Sequence, residues 1–342
     1  MIDHQMLALS TIAFTDEQLA RLRAVSPRLR IEQRPARSAE DVVAALRELR
    51  ETTVLYSRHD LPDWSAGQNL RWVQFHFAGV DSVDLERVPP NITITSASGV
   101  HSVVMAEHAF ALILALRRHV PTMLTWQAKD EWAKNRWDQF AAPTLRGETL
   151  GVLGYGSIGR EVARIGQCFG MTVLAFKRHP QQTAETGYQF PGVGDPDGSI
   201  PAEYFGPDRL YDFLARADVV ANLLPATAAT EKLMGASEFA TMKPSALFLN
   251  LGRGTTVDQD ALAEALREGR IAGAALDVFD PEPLPSDSPL WKIPSHRLII
   301  SPHVAGFFPG YDEETSRLWA ENLRRFVAGE PLLNVVSRKA GY

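Results

Sequence analysis

Arg253, Glu282 and His303 lie in three short segments that each follow a predicted strand in the second half of the chain. An arginine fork binds a carboxylate through two hydrogen bonds and also polarises a neighbouring carbonyl. A histidine gives a proton to a carbonyl oxygen, or removes it in the reverse direction. A carboxylate beside the imidazole orients the ring and favours its charged form. Together these residue types suit the reduction of a keto group that stands beside a carboxylate.

Each of these residues also has an ordinary structural interpretation. A given histidine among the nine in the chain is more often structural than catalytic, and the prolines on both sides of Glu282 fit a solvated turn. His303 is set apart because it directly follows an apolar strand pattern and has Gly306 close behind it. Open α/β sheets bind ligands at the carboxyl ends of their strands, which is where these three segments are predicted to lie.

A glycine-rich turn near the middle of the chain is the element that would hold a reactant beside these residues. It has the form G-x-G-x-x-G and lies between strand patterns at Thr149–Leu153 and Thr172–Phe176, with a helical pattern at 160–169. Such a unit within roughly 30 residues is the dinucleotide-binding fingerprint, whose glycines admit the tight turn, the pyrophosphate and close helix packing. The alternative is an ordinary glycine-rich turn. The turn consists of Gly154, Tyr155, Gly156, Ser157, Ile158 and Gly159.

The end of the second strand of this unit bears on the choice of dinucleotide. An NAD-selective fold carries an acidic residue there, which binds the ribose hydroxyls. This chain has Phe176, Lys177, Arg178 and His179 in a row, with no carboxylate. Lys177 and Arg178 would attract a 2′-phosphate, so we predict that NADP(H) is preferred and that NAD(H) is a weaker cofactor. The alternative is that both side chains are solvated charges at a strand end.

Length and composition predict a soluble globular enzyme of two domains. The chain has 342 residues, of which 45% are hydrophobic and 22% charged, and its formal net charge of −6 argues against a nucleic-acid partner. The single cysteine, Cys168, excludes an intrachain disulfide, fits a reducing cytoplasm and is expected to be buried. Residues 1–14 lack a signal-peptide pattern, and the longest apolar run, 109–116, is too short to span a bilayer. We therefore expect a cytoplasmic protein without a membrane partner, and no metal site.

Alternating strand and helix patterns predict a parallel sheet in each half of the chain. The helix at 16–25 is expected to begin at Thr15 as its N-cap, and the helix at 103–118 has little polar surface. A long stretch, 179–207, is rich in glycine and proline and is predicted to be a surface insertion, with a lid over the cofactor as the alternative. Further strands are predicted at 5–13, 53–56, 71–75, 92–95, 219–223, 246–249, 274–277 and 298–300, and further helices at 38–50 and 312–328.

These motifs resemble the D-isomer-specific 2-hydroxyacid dehydrogenases, in particular the glyoxylate/hydroxypyruvate reductase branch. The resemblance rests on four ordered motifs: the glycine turn, Asn250 to Gly254, Asp277 to Leu284, and Pro302 to Gly306. It runs from about residue 70 to 334, while the first seventy residues match only in general pattern. It implies a Rossmann-type doubly wound cofactor domain at 101–306 and a smaller flavodoxin-like α/β substrate domain at 1–100 and 307–342.

The resemblance also implies roles for individual residues. His303 would be the general acid/base, Glu282 its partner and Arg253 the substrate anchor, and Asp277 would contact the nicotinamide carboxamide. Substrate-binding residues would be Ala78, Gly79, Val80, Arg253 and His303. An arm at about 120–145 would hold a homodimer, and Trp132 would reach the neighbouring active site. Cofactor contacts would come from the glycine turn, Lys177, Arg178, Leu224, Pro225, Leu251, Gly252, Arg253, Asp277, His303, Ala305 and Gly306.

Three functions follow from these patterns. The leading hypothesis is an NADPH-dependent reductase that converts a small 2-keto acid, such as glyoxylate or hydroxypyruvate, to the D-2-hydroxy acid. The second is a dinucleotide-sensing binding protein like the transcriptional corepressors that share this fold, against which the chain lacks long tails and basic runs. The third, a dehydrogenase of phosphite or formate, would need a different substrate loop.

Overall fold

The computed structural model describes residues 5–342, within which twelve β-strands and ten α-helices are found. Residues 1–4, which belong to the predicted first domain and to the segment searched for a signal peptide, lie outside this range. Within residues 5–342 no helix has both the length and the apolar character needed to cross a membrane. In chain order the elements are β1 Met6–Ser10, α1 Asp16–Ala24, β2 Leu29–Gln33, α2 Ala39–Glu48, β3 Thr52–Ser57, β4 Trp72–Phe75, β5 Thr93–Thr95, α3 Ser102–Arg117, α4 Val120–Gln127, α5 Arg136–Phe140, β6 Thr149–Leu153, α6 Ser157–Cys168, β7 Thr172–Phe176, β8 Glu203–Phe205, α7 Leu210–Arg216, β9 Val219–Asn222, α8 Ala236–Thr241, β10 Leu247–Asn250, α9 Gln259–Glu268, β11 Gly273–Leu276, β12 Leu298–Ile300 and α10 Tyr311–Ala328.

The chain divides into two compact units. The first holds the chain up to Val100 together with Phe308–Tyr342, and the second holds His101–Glu185 and Gln189–Phe307. Thr186–Tyr188 belongs to the first unit, although it lies in the middle of the predicted surface insertion. The predicted domains differ from these units only at this short segment and at residue 307.

The first unit contains a five-stranded parallel sheet in the order β2-β1-β3-β4-β5. This is the flavodoxin-like strand order. Neighbouring strand residues point to opposite faces, so Val73 packs with α2 on one side and Trp72 packs with Trp319 of α10 on the other. Because helices cover both faces, all four residues of β4 are buried.

The helices of this unit begin within one residue of the predicted positions. Thr15 caps α1 through the backbone N–H of Gln18, and the Gln18 side chain returns a bond to the Thr15 backbone N–H. This capping box confirms the predicted N-cap. The strand β2 was not predicted, because its apolar residues Leu29 and Ile31 alternate with charged side chains over only five positions.

The second unit contains a seven-stranded parallel sheet in the order β12-β11-β10-β9-β6-β7-β8. Its first strand, β6, lies inside the sheet, and the chain winds outward from it in both directions, which is the doubly wound arrangement. Alternate residues of β7 serve the two faces: Val173 belongs to the core cluster to which α3 and α6 contribute, and Leu174 belongs to the cluster to which α7, α8 and α9 contribute. The predicted α/β class, with one Rossmann-type sheet and one flavodoxin-like sheet, is confirmed.

The predicted dimerisation arm and the single cysteine both lie in the second unit. The predicted dimerisation arm contains α4 and α5, and its Trp132 and Trp137 side chains are 83% and 82% exposed. Cys168 is exposed, so the prediction that it is buried is wrong. Gly166 of α6 faces the core. Cys168 is two residues further along the helix, so its side chain points about 200° away from the direction of Gly166.

Candidate active site

The glycine turn joins β6 to α6 in the geometry that its sequence predicts. Gly154 has a φ of +105°, which L side chains rarely adopt, and a Cβ at Gly159 would lie 2.5 Å from the Gly154 carbonyl oxygen. A Cβ at Gly156 would meet nothing within 4 Å, and this residue begins α6 without a side-chain cap. The helix N-terminus is therefore open to an anion, as the pyrophosphate of a dinucleotide requires.

The other residues of the turn divide between exposed backbone and buried side chain. Ser157 and Ile158 lie half-buried on the first turn of α6. The Tyr155 side chain is 2% exposed, and its hydroxyl donates to Oδ2 of Asp195 at 2.7 Å. Burial and this carboxylate raise the pKa of the Tyr155 hydroxyl well above its ordinary value. Any contact between Tyr155 and a dinucleotide is thus limited to its backbone.

Lys177 and Arg178 follow β7 and differ in exposure. The Lys177 ammonium is half-buried and donates to the carbonyl oxygen of Gln182, while Arg178 is exposed. Burial lowers the pKa of Lys177, and the nearby Arg160 guanidinium lowers it further.

Buried amides position the loops that follow β9 and β10. Asn222 donates through Nδ2 to Oδ1 of Asn250 at 3.1 Å and to the Thr256 hydroxyl at 2.8 Å, and its Oδ1 accepts from the Leu224 backbone N–H at 3.2 Å. A Cβ at Gly252 would lie 2.6 Å from the Leu224 carbonyl oxygen, so the two loops touch. This brings Leu224 and Pro225 close to Leu251, Gly252 and Arg253 in the same part of the unit. Asn222 was not predicted as a site residue, and its signal in the sequence is an amide at the end of an apolar strand.

The same amides hold the backbone of Arg253. Its carbonyl oxygen accepts from Asn250 Nδ2 at 3.1 Å and from the Thr256 hydroxyl at 2.7 Å. The half-buried guanidinium donates through Nη1 to the Gly252 carbonyl at 2.9 Å. One nitrogen of the guanidinium, Nη1, is thereby bound to the loop, which preorganises the Arg253 side chain for a planar carboxylate.

Asp277 organises the loop that carries His303. Its carboxylate is 1% exposed and accepts from the Ser301 hydroxyl at 2.6 Å, the Val304 N–H at 3.0 Å and the Ala305 N–H at 2.9 Å. Three donors satisfy the buried charge and bracket His303 on both sides. The carboxamide contact that the family resemblance implies for Asp277 stays a prediction.

Glu282 and His303 form a close, open pair. Nδ1 of His303 lies 2.8 Å from Oε2 of Glu282, and Oε1 of Glu282 accepts from the Phe279 N–H at 2.8 Å. The side chains are 52% exposed for His303 and 36% for Glu282. Because Glu282 occupies Nδ1, the ring atom left for a reactant is Nε2. His303 also has a φ of 55°, in the left-handed region where non-glycine residues are strained, which is typical of functional positions.

Two further histidines lie near this set and were not predicted to do chemistry. His101 lies 3.1 Å from the Gly306 carbonyl through Nδ1, and its pKa is lowered by burial and, to a smaller degree, by the Arg253 charge. Nε2 of His108 lies 3.2 Å from the Ser301 hydroxyl, which in turn donates to Asp277. His108 thus supports the loop of His303.

The remaining predicted substrate residues belong to the first unit. Ala78 and Gly79 are half-buried and Val80 is buried, in the loop that follows β4. The Phe77 carbonyl accepts from the Ala97 N–H at 2.9 Å, and the Val80 carbonyl accepts from the Val83 N–H at 3.0 Å. The loop is tied at both ends, which favours a fixed arrangement of its backbone N–H groups.

Comparison with known proteins gives the same family for most of the chain. The family model described as "D-isomer specific 2-hydroxyacid dehydrogenase, NAD binding domain" matches residues 110–305. A glyoxylate reductase of Aeropyrum pernix is 36% identical over 292 residues, which cover 84% of this chain and 82% of that protein.

Two solved structures extend the match over nearly the whole chain. A D-isomer specific 2-hydroxyacid dehydrogenase family protein from Aeromonas salmonicida is 31% identical, with a TM-score of 0.75 over 98% of this chain and 99% of that one. The D-isomer specific 2-hydroxyacid dehydrogenase of Xanthobacter autotrophicus Py2, solved with NADPH and MES, is 29% identical, with a TM-score of 0.75 over 99% and 100%. The chain therefore belongs to the D-isomer specific 2-hydroxyacid dehydrogenases, and it is an oxidoreductase that acts on the CH–OH group of its donor.

Proposed function

We propose that this enzyme reduces a small 2-keto acid, of the glyoxylate or hydroxypyruvate type, to the D-2-hydroxy acid with NADPH. The observation that carries the proposal is the Glu282–His303 pair, joined at 2.8 Å on an exposed loop that a buried carboxylate fixes in place. A substrate of this size agrees with the glyoxylate reductase of Aeropyrum pernix, which matches most of both chains.

His303 is the general acid of the proposed reaction. When bound, NADPH supplies the hydride that converts the keto carbon to CH–O. The His303 imidazolium gives the proton on Nε2 to the substrate oxygen, which completes the hydroxyl group and leaves a neutral ring. Glu282 accepts the hydrogen bond from Nδ1 and so fixes which nitrogen faces the substrate. In the oxidation direction the neutral ring removes the same proton.

Arg253 is the substrate anchor of the proposed site. A bidentate pair with the substrate carboxylate would hold the molecule against the loop after β10 and draw electron density from the adjacent carbonyl. The backbone N–H groups of Ala78, Gly79 and Val80 are, by the family resemblance, further proposed ligands of the substrate carboxylate. Fixed donors of this kind stabilise charge with little reorganisation during the reaction.

The NADPH preference rests on the end of β7. A 2′-phosphate would be repelled by the acidic residue of an NAD-selective site, and this chain has Lys177 and Arg178 there instead. The related Xanthobacter autotrophicus structure was solved with NADPH. Arg178, which is exposed, would make the outer contact with the phosphate.

A homodimer held by the arm at 120–145 is the proposed assembly. Trp132 and Trp137 are large apolar side chains left more than four-fifths exposed in this chain. Exposed aromatic side chains of this size are enriched at protein interfaces.

A matrix of NADPH and NADH against glyoxylate, hydroxypyruvate, pyruvate and bulkier 2-keto acids tests this function. We expect kcat/KM to be at least about tenfold higher with NADPH, the effect of roughly one charge-assisted hydrogen bond. Glyoxylate or hydroxypyruvate should be the best substrate. A kcat/KM with NADH that equals or exceeds that with NADPH would contradict the cofactor assignment, and dinucleotide binding without turnover of any keto acid would favour a sensor.

A further inference from the structure

The insertion, residues 179–207, is fastened to the glycine turn from one side. The Tyr155 hydroxyl, inside the turn, donates to Asp195, which is 4% exposed. The Asp195 carboxylate also accepts from the backbone N–H groups of Ser199 at 2.9 Å and Ile200 at 3.1 Å. One buried carboxylate thus joins the turn to the middle of the insertion.

Arg160, the residue directly after the turn, fastens the insertion a second time. Its side chain is 1% exposed, and its Nε lies 3.1 Å from Oε2 of Glu185. Its Nη1 donates to the Asp195 carbonyl, and its Nη2 donates to the Thr183 carbonyl at 2.6 Å. The guanidinium also lies over the Tyr155 ring, 4.9 Å from its centroid. Each nitrogen of the Arg160 guanidinium therefore bonds to the insertion, and the guanidinium also contacts the Tyr155 ring.

Glu161 adds a third fastening on the next position of α6. Its carboxylate accepts from the Gly194 N–H at 2.7 Å and pairs with Arg164. The cluster of Tyr155, Arg160, Glu161, Glu185 and Asp195 is called the anchor cluster below. Its charges have close partners of opposite sign or hydrogen-bonding groups, so loosening the insertion would leave charges buried without partners. Moving a segment held in this way is costly, which favours a fixed element over a lid that opens and closes.

The beginning of the insertion reaches the cations at the end of β7. The Gln182 N–H donates to the His179 carbonyl at 3.1 Å, which closes a turn directly after Arg178. The Gln182 carbonyl in turn accepts from the Lys177 ammonium. Glu185, three residues after Gln182, pairs with Arg160. The anchor cluster is therefore connected to Lys177 through a few residues of constrained backbone.

We propose that the insertion is a fixed wall of the dinucleotide pocket, which positions Lys177 and Arg178 for the 2′-phosphate, with Tyr155 and Arg160 as its anchoring residues. This inference rests on the NADPH preference in the proposed function and deepens it. Tyr155 and Arg160 are positioning residues in this scheme, since their side chains act on the phosphate only through the insertion.

Direct binding of NADP⁺ and NAD⁺, measured by calorimetry without substrate, tests the wall. Tyr155→Phe removes a single oxygen, and Asp195→Asn keeps the shape of its side chain while removing the charge. For each variant we expect the Kd of NADP⁺ to rise by about tenfold, as when a charge-assisted contact is lost. The Kd of NAD⁺ should change by less than about twofold, which also shows that the pocket is intact.

Tyr211→Phe is the matched control. Tyr211 donates to Oε1 of Glu238 at 2.6 Å, so the substitution removes the same kind of bond in the same unit, away from the insertion. Its affinity for both dinucleotides should equal that of the unaltered protein. If Tyr155→Phe and Asp195→Asn weaken both dinucleotides equally, or neither, the wall is refuted while the cofactor preference stands. If the unaltered protein binds NAD⁺ as tightly as NADP⁺, the proposed cofactor preference is wrong. The proposal for the insertion is then wrong too, because it rests on that preference.

Discussion

The anchor cluster and the Glu282–His303 pair contain similar ionisable residues and differ in their exposure to water. The Arg160 and Glu161 side chains are 1% and 2% exposed, whereas those of His303 and Glu282 are 52% and 36% exposed. In the anchor cluster every charged side chain has hydrogen-bond or ion-pair partners inside the protein. In the pair only one ring nitrogen of His303 is taken, and the other is left for a reactant.

This difference separates a structural group of charges from the pair that we propose to be reactive. A buried charge must be satisfied within the fold, and a satisfied group has no capacity left to exchange protons with a substrate. The open pair keeps that capacity because its support comes from elsewhere, namely the Asp277 carboxylate that holds the backbone on both sides of His303. Burial of the supporting Asp277 and exposure of His303 are what the proposed site requires.

Replacement of His303, the proposed general acid, is expected to have the largest effect. His303→Asn removes the acid/base group, and asparagine tolerates the left-handed backbone that residue 303 adopts. We expect kcat for keto-acid reduction to fall by about 10²–10⁴-fold, the usual contribution of a general acid. NADPH affinity, measured by calorimetry, should stay within about twofold of the unaltered value.

Glu282→Gln provides a graded comparison for the same prediction. The amide oxygen can still accept from the Phe279 N–H, but the negative charge beside the imidazole is lost. The decrease in kcat should be smaller than that of His303→Asn. Turnover that is unchanged in His303→Asn would remove this residue from the mechanism and with it the contrast between the two groups.

Arg160→Met is expected to affect stability more than any exposed charge does. The substitution removes the buried Arg160 charge from Glu185, and it removes the guanidinium donors from the carbonyls of Asp195 and Thr183. Breaking one side of a buried pair typically costs about 3–5 kcal/mol of unfolding free energy. Chemical denaturation of the two proteins at pH 7 measures the difference.

Arg209→Met is the exposed counterpart of this change. Arg209 pairs with Glu203 and Asp212 in the same unit, but its side chain is 41% exposed. Water replaces the lost partners there, so the decrease in stability should be much smaller than for Arg160→Met. Equal losses of unfolding free energy in Arg160→Met and Arg209→Met would mean that burial does not determine the cost of removing an arginine from its ion pairs.

The parts of the fold that follow from local patterns could be predicted from the sequence. The strand Thr172–Phe176 and the glycine turn before α6 depend on residues within a short window, and both have the predicted form. The cap of α1 by Thr15 is equally local. Strand periodicity and glycine spacing act at this range, which is why they are informative.

Contacts between distant residues could not be predicted in the same way. The Tyr155–Asp195 bond spans 40 positions, and nothing in either segment alone indicates it. The insertion was predicted as a surface loop because it lacks periodicity, yet its Asp195 is buried. Likewise, the sequence places Asp277 near His303 but does not show that its carboxylate faces inward to the loop. Such positions depend on the tertiary fold.

The smallest expected effect concerns a second imidazole, His101, which contrasts with His303. Burial, with a further contribution from Arg253, lowers the pKa of His101 in the folded protein below its value in the unfolded chain. The unfolded state therefore binds the proton more readily, and the stability contributed by neutral His101 is present above the unfolded pKa of about 6.5 and is lost as the pH falls below it. Comparing His101→Gln with the unaltered protein by denaturation at pH 5 to 8 isolates this group. The unaltered protein should lose stability relative to the variant on acidification, by at most about 1.4 kcal/mol per pH unit, and a pH-independent difference would show that His101 is solvated in both states.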